Sequence, residues 1–326
     1  MTTSNNITIN GIRKILERNE NFLIFMHENP DSDTIGSALS LVITLRSLGK
    51  KAYMVCCDKI PQSLMFLTEG KRFFGIEDIP ADFTPKFLIS VDVASPNQLG
   101  KYHYLAAKID LSLDHHSCHE DLATYRFVDP DAGACAEIVY RVINRMIQGQ
   151  IPERTASLLY AALAADTGGF RYANTTPYTH KIAAKLIECG ANHFQICRNL
   201  FEMKSKTALA AEAFAMDNVK YLCGGKISYV KITEADKAAH GFEDEDTYDV
   251  INVIRRAEGV KVAIFARERT PGAYKISTRS TGDIDMARIC AIFGGGGHVG
   301  AAGCSVTADE VDGAVKRIVE ECGFEK

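Results

Sequence analysis

Met26-His27-Glu28-Asn29-Pro30-Asp31-Ser32-Asp33-Thr34-Ile35-Gly36-Ser37 is the stretch on which the reading of the chain turns. Before it runs Phe22-Leu23-Ile24-Phe25-Met26, an apolar segment with the look of a buried strand. After it, Ile35, Ala38, Leu39, Val42, Leu45 and Leu48 recur at the spacing of one helix face. One histidine and two aspartates therefore fall between a strand end and a helix start, where ligands bind in open α/β sheets. Asn29-Pro30 suits a turn, because the residue before proline is pushed out of helical geometry. Asp31 and Asp33 lie near the positive end of the helix dipole, so capping explains one of them. It does not explain His27 or the second carboxylate. Neighbouring carboxylates repel, and a divalent cation relieves the repulsion. By itself the stretch leaves both readings open, a capped helix start and a metal-binding turn.

Working outward, a short helix is expected over 7–18 and strands over 22–26, 52–56, 87–91 and 109–113. Helical patterns cover 34–48, 132–149, 153–165 and 177–189. Strands alternating with helices predict an α/β fold with a mostly parallel N-terminal sheet flanked by helices. Two more of the strands end in ligand-type residues: Val91 is followed by Asp92, and Leu113 by Asp114-His115-His116. Asp92 alone would read as a cap or turn residue, and a histidine pair as surface. Three apolar strands ending in His/Asp groups, however, place those groups along one edge of a parallel sheet. A fourth group, Asp166, closes a helix rich in alanine, where the dipole disfavours a carboxylate and calls for a cation.

A polar, helix-like connector spans 191–222. A smaller α/β domain follows, with strands near 226–232, 260–267 and 273–278 and helices near 284–292 and 308–322. Glu243-Asp244-Glu245-Asp246 reads as a solvated loop. Near the end stands Phe293-Gly294-Gly295-Gly296-Gly297-His298-Val299-Gly300-Ala301-Ala302-Gly303. Consecutive glycines cost conformational entropy and suit a backbone that closely approaches an anion. The Lys-Ser/Thr ending of a P-loop is missing, which argues against nucleoside triphosphate binding. Arg267, Arg279 and His298 add positive charge, and a guanidinium at Arg279 could fork onto a phosphate.

The 326 residues suffice for about two domains, and 46% apolar with 24% charged residues is a globular balance. A formal net charge of -4 gives no global attraction to nucleic acid or anionic membranes. A small substrate is expected rather than long duplex nucleic acid. No apolar run approaches the roughly 18 residues of a membrane span. The first residues lack the regions of a signal peptide, and the ten cysteines are scattered. They read as reduced thiols in a cytoplasmic protein.

With five ordered motifs in place, the chain resembles the DHH phosphoesterase superfamily, in its nanoRNase and 3′-phosphoadenosine 5′-phosphate phosphatase branch. The motifs are His27-x-Asn29-Pro30-Asp31-x-Asp33, Val91-Asp92, Asp114-His115-His116, Asp166-Thr167-Gly168 and the stretch from Gly294 to Gly303. Ser32 and Thr34 depart from the glycine and alanine usual there. The resemblance implies a metal-binding domain over 1–190, a helical linker over 191–222 and a DHH-associated substrate-binding domain over 223–326, with the active site in the cleft between domains. It implies two divalent cations, manganese or magnesium, one held by His27, Asp31 and Asp92. Asp33, Asp92, His115 and Asp166 would hold the second, Asp92 bridging. His116 would contact the substrate phosphate and assist proton transfer, with Asp114 orienting a histidine. Arg279, His298, Gly295, Gly296, Gly297 and Arg267 would bind substrate.

The function so implied is hydrolysis of short oligoribonucleotides to mononucleotides, with removal of the 3′-phosphate of 3′-phosphoadenosine 5′-phosphate beside it. The rival within the fold is a phosphodiesterase acting on cyclic di-AMP or a linear dinucleotide. A non-catalytic nucleotide sensor would lack a metal ligand, and none is missing. The partners expected are short RNA or small nucleotides, without a membrane, and a homodimer is left open.

Overall fold

The strand that opens the deciding stretch follows the two-residue period of extended chain. Phe22, Ile24 and Met26 enter one apolar cluster, Leu23 and Phe25 another. A strand buried on both faces belongs inside a parallel sheet. The computed structural model describes residues 5–117, 119–282 and 284–324, and the side chain of His298 lies outside the described ones. The strands of the first sheet are β1 (Asn5–Asn6), β2 (Phe22–Phe25), β3 (Ala52–Val55), β4 (Phe87–Val91), β5 (Ile109–Asp114) and β6 (Ala123–Val128). Their order is β1-β6-β5-β4-β2-β3, with every pairing parallel. From β2 the chain runs out to β3, then returns past β2 to lay down β4, β5 and β6 on the other side. The direction of travel thus reverses between β2 and β4, and ligands bind at the strand carboxyl ends beside such a reversal.

Helices α1 (Ile9–Arg18), α2 (Ser32–Ser47), α3 (Cys135–Met146), α4 (Glu153–Asp166), α5 (Pro177–Glu188) and α6 (His193–Cys197) supply one cluster through Leu16, Leu41, Ile138, Leu159, Ile182 and Ile196. The other face is covered by 3₁₀ turns within Pro96–Lys108, which contribute Leu99, Tyr102 and Ala106. Gly36 lets α2 lie close on α4: a Cβ there would come within 2.6 Å of the Leu158 carbonyl oxygen. Strand β6 was not expected from the sequence. Thr124 is exposed and Tyr125 to Val128 only half-buried, so no continuous apolar run marks it.

The chain divides into two compact units, Met1–Met203 and Lys204–Lys326. The segment 191–222, expected as a linker, is shared between them. Ile196 is buried in the first unit's core. Ala211 and Ala215, on α7 (Lys206–Asn218), are buried in the second's with Val230, Ile251 and Phe265. A helix whose buried face is made of short alanines shows no stripe of large apolar side chains, and that concealed it.

The second unit has strands β7 (Lys220–Leu222), β8 (Ile227–Ile232), β9 (Val262–Thr270), β10 (Ala273–Ser280), β11 (Gly296–His298) and β12 (Ala301–Thr307). Their order is β11-β12-β10-β9-β8-β7, antiparallel except for β8 with β9. Helices α8 (Glu234–His240) and α9 (Val250–Ile254) precede β9, while α10 (Met286–Ala291) and α11 (Val311–Glu321) cover the other face through Ile289 and Ile318.

Two expectations change here. The acidic run is not simply solvated, because Asp244 sits 3.1 Å from Lys237 Nζ and 3.5 Å from Arg267 Nη1. Both cations are buried and need a counter-charge. Arg267, expected at the substrate, is thereby occupied inside the unit: its Nη1 also donates to Thr247 Oγ1, and its guanidinium lies over Tyr248.

Candidate metal centre

The first-unit candidates converge at the carboxyl ends of β2, β4 and β5, three adjacent strands. Asp31 is the N-cap of α2, its Oδ1 accepting from Asp33 N at 2.9 Å and Thr34 N at 3.1 Å. The capping reading is therefore correct for Asp31, yet the same oxygen faces His27 Nε2 at 3.6 Å. Thr34, one of the two departures from the family pattern, donates from Oγ1 to Val91 O at 3.1 Å. That bond fastens the start of α2 to the strand end that carries Asp92.

Asp92 lies between the two groups of ligands. Its Oδ2 is 3.5 Å from His27 Nε2 and its Oδ1 is 3.6 Å from His115 Nε2. His115 Nε2 is also 3.6 Å from Asp166 Oδ2 and 3.9 Å from Asp33 Oδ2. Two sets of three, His27-Asp31-Asp92 and Asp33-His115-Asp166, each bring one ligand atom per residue within 4.8 Å of the others. All six residues singled out as ligands in the sequence are brought together.

Donors around the site fix its geometry. His27 Nδ1 lies 2.6 Å from Glu28 O and His115 Nδ1 lies 3.2 Å from Ala132 O, which leaves each Nε2 facing the carboxylates. Asp33 accepts from Cys135 N at 2.6 Å, Ala136 N at 3.0 Å and Ser37 Oγ at 3.0 Å, so it also serves the start of α3. Asp114 Oδ1 is 2.6 Å from His116 Nδ1, so His116 is the histidine it orients. Asn174 Nδ2 donates to the carbonyls of Gly133 and Asp166, joining the loop before α3 to the fourth motif.

Sequence reasoning missed Ser37, Asn174 and His119. His119 Nε2 is 3.1 Å from Ser112 Oγ and 3.7 Å from Asp114 Oδ2. Its place three residues after His116 was visible, but a loop histidine carries no signal of direction.

The electrostatics show an excess of buried negative charge. Burial, then Asp92 and Asp166, raise the Asp33 carboxyl well above the usual range. Burial raises Asp166 too, with Asp31 and Asp92 adding to it. Burial alone would lower His27 and His115, but the surrounding carboxylates outweigh it and raise both. Asp92 Oδ1 is buried and accepts no hydrogen bond from the described residues. A buried carboxylate oxygen without a donor, facing imidazoles and further carboxylates, fits a divalent cation. With oxygen and imidazole donors and no thiolate, the set suits manganese or magnesium.

In the second unit the glycine run forms a hairpin, β11 paired with β12. A Cβ at Gly295 would meet Gly303 O at 2.2 Å, and one at Gly297 would meet Ala301 O at 2.4 Å. Those two glycines answer to strand packing. A Cβ at Gly296 would meet nothing within 4 Å, so the fold does not require glycine there. Arg279 pairs in register with Ala301 on β12, and Ala301 with His298 on β11. Arg279 and His298 therefore occupy one row of the sheet, about 10 Å apart between backbones.

Models of known families match both units: one described as "DHH family, N-terminal domain" matches residues 21–163, and one described as "DHHA1 domain" matches residues 224–323. The bifunctional oligoribonuclease and PAP phosphatase NrnA of Thermus thermophilus is 31% identical over 302 residues, covering 91% of this chain and 87% of that one. The Bacillus subtilis protein of the same name is 23% identical over 298 residues, covering 90% and 92%. An exopolyphosphatase-related protein from Bacteroides fragilis has a crystal structure with TM-score 0.87 at 23% identity, over 96% of this chain and 95% of that one. RecJ from Thermus thermophilus, solved in complex with Mn2+, gives TM-score 0.58 at 13% identity over 98% of this chain and 55% of that one. These structural likenesses show a shared fold. Among the described residues no helix is long and apolar enough to cross a membrane.

Proposed function

The chain belongs to the DHH family of phosphoesterases, and from that premise we propose that it hydrolyses short oligoribonucleotides to mononucleotides and removes the 3′-phosphate of 3′-phosphoadenosine 5′-phosphate. The observation that carries this reading is the Asp92 carboxylate, whose two oxygens face His27 and His115 respectively. His27, Asp31 and Asp92 would hold one divalent cation, and Asp33, Asp92, His115 and Asp166 the other. Such a pair of ions supplies Lewis acidity toward a phosphoryl oxygen and a nucleophilic water at neutral pH. Manganese suits these donors best.

The remaining work falls to the chain's own side chains. His116, with Nδ1 held by Asp114, turns Nε2 to the substrate phosphate and hands a proton to the departing oxygen. Asp114 is buried and, by accepting from Nδ1, favours the doubly protonated imidazolium, the form from which Nε2 can donate. In the second unit Arg279, His298 and the open backbone at Gly296 engage a phosphate or base remote from the reacting phosphorus. Gly295 and Gly297, needed for packing, shape that hairpin.

The test is a competition assay with one manganese-loaded preparation, offering a dinucleotide, 3′-phosphoadenosine 5′-phosphate and cyclic di-AMP. Preference for the first two supports the reading. Preference for cyclic di-AMP, or hydrolysis of none, overturns it.

A further inference from the structure

The turn that follows Asp166 is folded back on itself in an unusual way. Gly168, Gly169 and Phe170 have φ of 58°, 71° and 64°, three successive left-handed residues of which only two are glycine. A left-handed phenylalanine is costly and persists only where its surroundings impose it. Thr167 imposes it: fully buried, it accepts from Phe170 N at its hydroxyl, and from Arg171 N and Tyr172 N at its carbonyl. Tyr172 closes over the turn so tightly that a Cβ on Gly168 would sit 2.3 Å from its ring.

The effect of this backbone is to anchor the Arg171 guanidinium on the turn that carries Asp166. Its Nε donates to Gly168 O at 2.5 Å, and its guanidinium lies 5.6 Å from the centre of the Phe201 ring. Gly168 is two residues past Asp166, so no more than about 7 Å of chain separates that anchor from a candidate metal ligand. The head is fixed by Nε and by one face, while Nη1 and Nη2 have no acceptor among the described residues and the residue is exposed. A guanidinium held this way presents a planar fork suited to a phosphate. Beside several buried carboxylates, a non-reacting phosphate would otherwise meet repulsion.

We propose that Arg171 is the specificity-determining contact for a second, non-reacting phosphate of the substrate, selecting short oligonucleotides with a terminal phosphate and nucleoside bisphosphates over chains without one. This rests on the phosphoesterase reading of the same site. Among the described residues no hydrogen bond or ion pair joins the Arg171 side chain to the six candidate ligands, so its loss should leave the reaction on simple esters intact.

Binding is measured in manganese by calorimetry, using phosphorothioate-linked diadenosine with no terminal phosphate, a 5′-phosphate or a 3′-phosphate. In the wild type a phosphate at one end should tighten binding about tenfold to a hundredfold, the range of a charge-assisted hydrogen bond. Arg171→Ala should abolish that gain and Arg171→Lys restore part of it. Manganese affinity and turnover of bis-p-nitrophenyl phosphate should be unchanged in both. The proposal is overturned by a wild type that gains nothing from either terminal phosphate. Persistence of the gain in Arg171→Ala, or an equal loss on the simple ester from a disturbed turn, also overturns it. A wild type that binds with the expected gain but cleaves no ester would defeat the hydrolytic reading and leave this inference standing.

Discussion

Asp92 carries a left-handed backbone, φ 60°, and is 2% exposed. Aspartate and asparagine tolerate that conformation and alanine does not, so Asp92→Asn is the cleaner probe of its role. The asparagine variant should stay folded by circular dichroism and lose several kcal/mol of transition-state stabilisation, about a hundredfold or more in rate. Chelator should silence the wild type, and near-normal rates in metal-free buffer would end the two-cation account. Asp114→Asn should lower kcat roughly 10–100-fold with manganese affinity little changed, because it removes the charge facing His116 and His119 while its remaining carbonyl oxygen can still accept from His115 N. Calorimetry with manganese beside steady-state kinetics separates these effects. Asp33→Ala is less informative: it strips a carboxylate from the start of α3 as well and should cost about 1–2 kcal/mol of stability.

Packing of α2 against α4 sets the position of every ligand on the helix side of the centre. Gly36→Val would drive a side chain into the Leu158 carbonyl and Ala162, and such overpacking typically costs about 1–3 kcal/mol. Urea denaturation should read that loss, and an unchanged midpoint would show that the helices separate easily. Helix α3 is tied to α5 by Glu137, which is 2% exposed and accepts from Thr179 Oγ1 at 2.6 Å and Gly133 N at 3.2 Å, both at Oε1. Burial raises its carboxyl above the ordinary value of 4.5. With the folded-state pKa above the unfolded one, its contribution is fully present below the unfolded value and is lost as pH rises through the folded one. Glutamine keeps the accepting oxygen without the charge. Glu137→Gln should therefore gain stability relative to wild type as pH rises from about 4 to neutrality, and a constant difference across that range would refute the cause.

The two units should fail differently when damaged. On the proposed reading, Arg279→Ala removes a contact remote from the reacting phosphorus, worth on the order of 1.5–3 kcal/mol. That corresponds to roughly tenfold to a hundredfold in kcat/KM for a dinucleotide. Bis-p-nitrophenyl phosphate has no remote group and should be cleaved at nearly the wild-type rate, whereas Asp92→Asn should depress both substrates. Equal losses on both for Arg279→Ala, with folding intact, would remove the second unit from substrate recognition. Arg267→Ala belongs to another class. It leaves Asp244 with less counter-charge inside the unit and should lower the melting temperature before it alters specificity.

Local pattern alone determined the parallel α/β sheet and the His/Asp groups at its strand ends, because a strand buried on both faces must be apolar along its length. The His/Asp groups that interrupt such runs mark where each strand stops. Tertiary structure decided what spacing cannot encode. That Asp33 also serves the start of α3, that Glu137 ties α3 to α5, and that Arg267 answers Asp244 are outcomes of contacts between distant segments. The same holds for residues 191–222, whose small alanines acquire a buried face only once β8 and β9 stand beside them. A side chain's chemistry is written in its own position, but its partner is chosen by the chain folding around it.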